Sequence, residues 1–372
     1  MIITSDNNYQ ELDKWVEDKK KLFLVCGNSI RHFKDFNEKL NHLGIPLIRF
    51  TDFQPNPCYE SVVKGVELFR KENCDSIMAV GGGSAIDVAK CIKLYSECKT
   101  DGSNGAWLKE KNICNNDIPF LAMPTTAGSG SEATRFAVIY LNGNKQSVAN
   151  DWILPDTVLM CPEVLNTLPL GQKKATMCDA LCHAVESYWS VNSTNESKYL
   201  SGIAIQMIME NLNGYLSGSD KGNTGMLNAA YIAGKAINIT QTTAGHAMCY
   251  KITSLLGIAH GQAAMLCNRV LFPWMIKNTE KCIDVRGEEY LKNTLNELGT
   301  LLGASDAESG AVMFEKLFKE LEFDIPEATQ EQFNMMKSSV NQDRLRNFPI
   351  ALNNESIEDL YYEILRKKEN ES

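Results

Sequence analysis

The chain has 372 residues, with 37 basic against 46 acidic side chains for a net charge of -9, and 44% of it is hydrophobic. That composition excludes a disordered or low-complexity chain, and at roughly 150 residues per domain the length allows two domains. Scattered basic residues and the lack of any apolar run of ~20 residues exclude nucleic-acid and membrane partners.

The opening Met1-Ile2-Ile3-Thr4-Ser5-Asp6-Asn7 lacks the basic-then-apolar order of a secretory leader, so a cytoplasmic protein is expected. Leu22-Phe23-Leu24-Val25-Cys26 reads as a buried strand ending at Gly27, residues 36–43 as a helix and Pro46-Leu47-Ile48-Arg49-Phe50 as a second strand. Residues 60–73 carry Val62, Val63, Val66 and Phe69 at helical spacing. Ser76-Ile77-Met78-Ala79-Val80 then runs into Gly81-Gly82-Gly83-Ser84, a strand, glycine turn and helix in succession. Strands alternating with helices predict a parallel sheet. A further strand, residues 119–123, leads into Pro124-Thr125-Thr126-Ala127-Gly128-Ser129-Gly130-Ser131-Glu132, too rich in glycine and hydroxyls to be core. Beyond residue 164 amphipathic helical patterns follow one another and strand signals nearly vanish. The expected organisation is an α/β domain over residues 1–165 and an all-helical domain over 166–372. The twelve cysteines, irregularly placed with no Cys-x-x-Cys pair, read as reduced thiols.

Gly82, Gly83 and Ser84 stand where a strand gives way to a helix, a position at which backbone N–H groups and the positive helix end hold phosphate. Thr125, Thr126 and Ser129 add hydroxyls from a second strand end, and two such loops together predict a dinucleotide site.

Only five histidines occur in the chain, and three fall within helical patterns of the second half. Asp179 and His183 stand four apart on a helix and so share one face. His246 and His260 lie fourteen residues apart with a break at Leu255-Leu256-Gly257, a spacing that lets them converge from neighbouring elements. One carboxylate and three imidazoles suit Fe²⁺ or Zn²⁺ and disfavour Ca²⁺ and Mg²⁺. His32 and His42 read as surface residues.

Asn56-Pro57, Gly81 to Ser84 with Asp87 and Lys90, the run from Pro124 to Glu132, Asp179-Ala180-x-x-His183-Ala184-x-Glu186, Gly245-His246-Ala247 and His260-Gly261 occur in one order over residues 20–275. In these motifs the chain resembles the iron-containing (group III) alcohol dehydrogenases, whose fold is shared with dehydroquinate synthase. The resemblance implies an NADPH or NADH site in the cleft between two domains, and one divalent metal held by Asp179, His183, His246 and His260. It implies cofactor contacts from Gly27, Asp87 and Lys145 beside the two loops, and homodimers or larger homo-oligomers. It further implies a metal acting as Lewis acid on an aldehyde oxygen while hydride arrives from the nicotinamide.

The chain departs from the family pattern twice. Tyr250 stands where many members carry a second histidine, which makes Tyr250 or water the expected proton donor. Gly27, followed by Asn28 and Ser29, stands where NAD-preferring members carry an aspartate, and Arg31 and Lys34 are nearby, which favours NADPH. The stretch from His246 to Gly261 is most similar to phosphonoacetaldehyde reductases. Arg135, Lys251 and Arg269 are the cations available to an anionic aldehyde, and the competing substrates are uncharged aldehydes such as lactaldehyde or 3-hydroxypropionaldehyde. Dehydroquinate synthase chemistry needs more cationic substrate residues than the chain offers, and a silent assembly protein would not keep an intact ligand set.

Overall fold

The structure, a computed structural model, describes residues 2–4, 9–110, 113 and 116–368. Most of the opening stretch read for a leader, residue 1 and residues 5–7, lies outside them. The chain divides into two compact units, Met1–Leu168 and Pro169–Ser372.

The first unit is built on strands β1 (Ile2–Thr4), β2 (Leu22–Cys26), β3 (Leu47–Phe50), β4 (Ser76–Gly81) and β5 (Phe120–Pro124), a hairpin of β6 (Phe136–Leu141) and β7 (Asn144–Ala149), and β8 (Thr157–Met160). Six of them form one parallel sheet in the order β1-β8-β5-β4-β2-β3. β2, β4 and β5 are buried along their whole length. Such strands read as unbroken apolar runs because helices cover both faces of a parallel sheet. The helices are α1 (Gln10–Val16), α2 (Lys34–Asn41), α3 (Tyr59–Lys71) and α4 (Gly83–Tyr95). Phe23, Phe50 and Phe69 pack together under α3, with Ile77, Ile86 and Ile92 in the same core.

The hairpin and β8 were not among the expected elements. The hairpin turns on Asn142 and Gly143, both at positive φ (51° and 74°), in a two-residue loop between Leu141 and Asn144. Asn-Gly is the pair that adopts this geometry at least cost.

The second unit is helical: α5 (Leu170–Trp189), α6 (Asn195–Leu216), α7 (Asp220–Thr240), α8 (Ala244–Leu256), α9 (His260–Ile276), α10 (Glu288–Leu301), α11 (Ala307–Glu320), α12 (Gln330–Ser338), α13 (Gln342–Leu345) and α14 (Asn354–Ile364). Two-residue strands at Glu327–Ala328 and Arg366–Lys367 pair in parallel beside them. α5 is the hub, packed against α6, α7, α9 and α10. From Met177 to Trp189 every residue of α5 is buried, so its polar groups there must be satisfied by neighbours rather than water. Among the described residues no helix is long and apolar enough to cross a membrane, and the eleven cysteines are free thiols.

Candidate metal centre and cofactor loops

Gly81 and Pro124 are register partners, so the turn after β4 and the loop after β5 leave the sheet side by side. The Thr125 N–H donates to the Gly81 carbonyl (3.0 Å). A Cβ on Gly82 would lie 3.2 Å from Thr126 Oγ1, and one on Gly83 would lie 3.0 Å from Ser129 Oγ. The two loops therefore pack tightly at positions that carry no side chain, and the hydroxyls of Thr126 and Ser129 sit against the first turn of α4. Gly82 is the N-cap of α4 and supplies no capping side chain. Ser84 lies in that first turn, half-buried, and Thr125 is buried. The arrangement is a cradle that fits a pyrophosphate.

Asp87 ties the cradle together. Its carboxylate accepts from Ser131 Oγ (2.6 Å) and from the Val138 N–H of the hairpin (2.9 Å). Burial pushes it up, while Lys90 and these donors pull it down, and the charge of Lys145 on β7 also reaches it. Buried Lys90 donates to the carbonyls of Thr134 (2.6 Å) and Phe136 (2.7 Å) and to Thr134 Oγ1 (3.1 Å). Three acceptors for three ammonium hydrogens make Lys90 a clamp between α4 and the hairpin, and burial lowers it to about 8. Gly27, at the end of β2, has nothing within 4 Å of where a Cβ would be.

In the second unit three imidazoles converge on one carboxylate oxygen. Asp179 Oδ1 lies 3.8 Å from His183 Nε2, 3.3 Å from His246 Nε2 and 3.8 Å from His260 Nε2. Asp179 and His183 come from one face of α5, His246 from the first turn of α8 and His260 from the start of α9. The rings of His183 and His246 stack at 4.5 Å. Burial pushes Asp179 up, but the histidines outweigh it and hold the carboxyl well below the usual range.

Two glycines allow this convergence. A Cβ on Gly261 would lie 1.9 Å from the Ala175 carbonyl oxygen, and one on Gly245 would lie 2.3 Å from Asn268 Oδ1 and 2.5 Å from Glu186 Oε1. Each stands beside a metal-type histidine and brings α9 or α8 directly against α5.

Glu186 completes the arrangement, although the sequence reading gave it no role. His246 Nδ1 donates to Glu186 Oε1 at 2.6 Å, and Asn268 Nδ2 donates to the same oxygen at 2.8 Å. The other oxygen accepts from the Thr243 N–H (2.6 Å) and Thr243 Oγ1 (2.9 Å). Burial opposes the charge, yet His246 and these donors hold Glu186 at about 2. A carboxylate on Nδ1 fixes the tautomer and leaves Nε2 facing Asp179, the arrangement that a metal-binding histidine would need. The spacing of 179, 183 and 186 along one helix face was the available signal. Nitrogen-rich donors with such a buttress fit a divalent transition ion.

Tyr250 stands one turn beyond His246, its ring parallel to that of His260 at 5.6 Å. Burial raises its hydroxyl well above the ordinary tyrosine value, so it stays protonated. Two of the proposed substrate cations already have partners. Arg269 is spent on Glu315 (3.3 Å), the Ile364 carbonyl (3.3 Å) and the face of Phe318. Arg135, in the first unit, pairs with Asp151 (3.0 Å). Lys251, half-buried, sits about 140° around α8 from His246. His32 and His42 are exposed.

Residues 1–162 match the family model for iron-containing alcohol dehydrogenase, and residues 173–365 match that for the C-terminal part of the Fe-containing alcohol dehydrogenase family. The chain is 30% identical over 323 residues to the NAD-dependent methanol dehydrogenase of Bacillus methanolicus, covering 82% of this chain and 80% of that one. The chain belongs to the iron-containing alcohol dehydrogenase family. This family comprises NAD(P)-dependent oxidoreductases. The long-chain-alcohol dehydrogenase 1 of Geobacillus thermodenitrificans is 34% identical over 242 residues, a stretch that spans 64% of this chain and 60% of that protein. The sulfoacetaldehyde reductase of Bifidobacterium kashiwanohense, solved with NAD+, shares the fold with a TM-score of 0.87 at 22% identity, covering 98% of this chain and 97% of that one.

Proposed function

We propose that the chain is a metal-dependent, NAD(P)H-linked reductase of a small aldehyde, phosphonoacetaldehyde being converted to 2-hydroxyethylphosphonate. The observation that carries the reductase reading is the convergence of three histidine Nε2 atoms on Asp179 Oδ1, with Glu186 behind His246. Asp179, His183, His246 and His260 hold Fe²⁺ or Zn²⁺. When bound, the metal supplies Lewis acidity toward the aldehyde oxygen and the nicotinamide supplies the hydride. Gly82, Gly83, Ser84, Thr125, Thr126 and Ser129 would cradle the pyrophosphate, Asp87 would hold the cradle, and Lys145 and Gly27 would serve the ribose. An open Gly27 favours NADPH. Tyr250, kept protonated by burial, delivers the proton to the product oxygen.

In this reading the dinucleotide-binding domain is residues 1–165 and the metal and substrate domain is residues 166–372. The enzyme works in the cytoplasm as a homodimer or larger homo-oligomer. A second reading, a broad reductase of uncharged aldehydes, is favoured by the pairing of Arg135 with Asp151 and of Arg269 with Glu315, which leaves neither guanidinium dedicated to a substrate anion.

Anaerobic loading with Fe²⁺, followed by NADPH and NADH oxidation with phosphonoacetaldehyde, propionaldehyde and lactaldehyde, separates the two. A specificity constant highest for the phosphonate aldehyde supports the first reading, and equal or better use of the uncharged aldehydes supports the second.

A further inference from the structure

His246 and His260 both turn Nε2 toward Asp179, and their other ring nitrogens meet different groups. His246 Nδ1 meets the Glu186 carboxylate at 2.6 Å, while His260 Nδ1 lies 3.8 Å from Cys249 Sγ. Cys249 is fully buried in the middle of α8, three residues after His246. The next residue, Tyr250, lays its ring parallel to His260 at 5.6 Å. Two consecutive side chains of α8 therefore hold one imidazole of α9, the first at Nδ1 and the second across the ring face.

The direction of these contacts follows from counting hydrogens. A thiol has one, and Cys249 Sγ donates it to the His246 carbonyl, 3.4 Å away in the preceding turn of its own helix. Toward His260 the sulfur is then the acceptor, so the ring carries its hydrogen on Nδ1. A neutral imidazole with its hydrogen on Nδ1 keeps a lone pair on Nε2. That Nε2 is the atom 3.8 Å from Asp179 Oδ1. The thiol thus selects for His260 the tautomer that Glu186 selects for His246, and it does so as a weaker acceptor than a carboxylate.

We infer that Cys249 is a positioning residue of the metal centre: its sulfur fixes the tautomer and orientation of His260 and so the strength with which that histidine holds an ion. This rests on the metal-dependent reductase reading and names the group behind its most exposed histidine. His260 is 39% exposed where His246 is 2% exposed, so packing alone restrains its ring less and the bond at Nδ1 matters more. A weaker acceptor also raises the basicity of the imidazole less than a carboxylate does, which makes His246 and His260 unequal ligands.

The test compares wild type, Cys249→Ala and Cys249→Ser in three measurements: Co²⁺ affinity by competition with a chromophoric chelator, the absorption spectrum of bound Co²⁺, and thermal unfolding of the metal-free protein. Cys249→Ala is expected to lower Co²⁺ affinity by about tenfold, the small end of the loss seen when the partner of a metal-bound histidine is removed. Cys249→Ser keeps a donor and an acceptor at the position and is expected to recover most of that loss. The wild-type spectrum is expected to lack sulfur-to-cobalt charge-transfer absorption. Such a band, lost in both variants, would make Cys249 a ligand and overturn the assignment. Affinity that stays unchanged in Cys249→Ala, whether or not the melting temperature falls, overturns it as well. An equal loss of affinity in the two variants assigns the effect to packing and has the same result. A wild-type protein that binds no Co²⁺ overturns the metal-dependent reading and this assignment with it.

Discussion

Glu186 and His246 are joined by a short link, 2.6 Å between Oε1 and Nδ1, and both side chains are almost wholly withdrawn from water. Glu186→Gln keeps the shape but replaces the acceptor with an amide that no longer enforces the tautomer. Metal affinity is expected to fall by about 10- to 100-fold. Competition between the protein and a chromophoric chelator for Co²⁺ or Zn²⁺ measures it, and unchanged affinity would remove Glu186 from the metal centre.

Gly261 and Gly245 are expected to be intolerant of alanine. The methyl at 261 would meet the backbone oxygen of Ala175 at 1.9 Å, and backbone cannot step aside as a side-chain tip can. Overpacking of this kind costs about 1–3 kcal/mol or more, a loss of several degrees in melting temperature. Gly27→Ala, with open space around it, is the control and should melt as wild type does.

Gly27→Asp is expected to turn cofactor preference from NADPH toward NADH. A carboxylate at the end of β2 repels a 2′-phosphate and accepts from a 2′-hydroxyl. Specificity constants for the two cofactors should change in ratio by roughly tenfold or more. A wild-type enzyme that already prefers NADH would show that Arg31 and Lys34, both exposed, take no part.

How much of this was legible in the sequence depends on the range of the interactions involved. The strands ending at Gly27, Gly81 and Pro124 were readable because buried parallel strands are continuous apolar runs. The ligand cluster was readable because histidine is scarce and Asp179 and His183 obey helical spacing. The hairpin was overlooked although Asn142-Gly143 marks it, since β7, Asn144–Ala149, is largely polar and gives no apolar run. Glu186 shares the helix face of Asp179 and His183, but its partners Thr243 and Asn268 lie 57 and 82 positions away, contacts that no local pattern encodes. Arg269 looked available for the same reason: Glu315 is 46 residues away.

Glu132 carries the pH prediction. Its carboxyl is buried, Oε1 has no hydrogen-bond partner, and burial raises it to about 7 against a pull from Lys90. An acid whose folded value is raised binds more protons folded than unfolded between its unfolded value near 4.5 and about 7. Its stabilising contribution is therefore full below that window and lost as pH rises through it, by at most about 3 kcal/mol. Thermal unfolding of wild type against Glu132→Gln from pH 5 to 8 should show the mutant with the flatter profile. Parallel profiles would mean that Glu132 is ionised throughout.

The four metal-type side chains differ in their access to water: His260 is 39% exposed, while Asp179, His183 and His246 are at 10%, 7% and 2%. His260, with the Tyr250 ring stacked upon it, is therefore the member of the cluster most open to water. If an ion is held there, three of its four donors are sheltered from water, so its loss to a chelator is expected to be slow and to quicken when His260 is replaced by alanine.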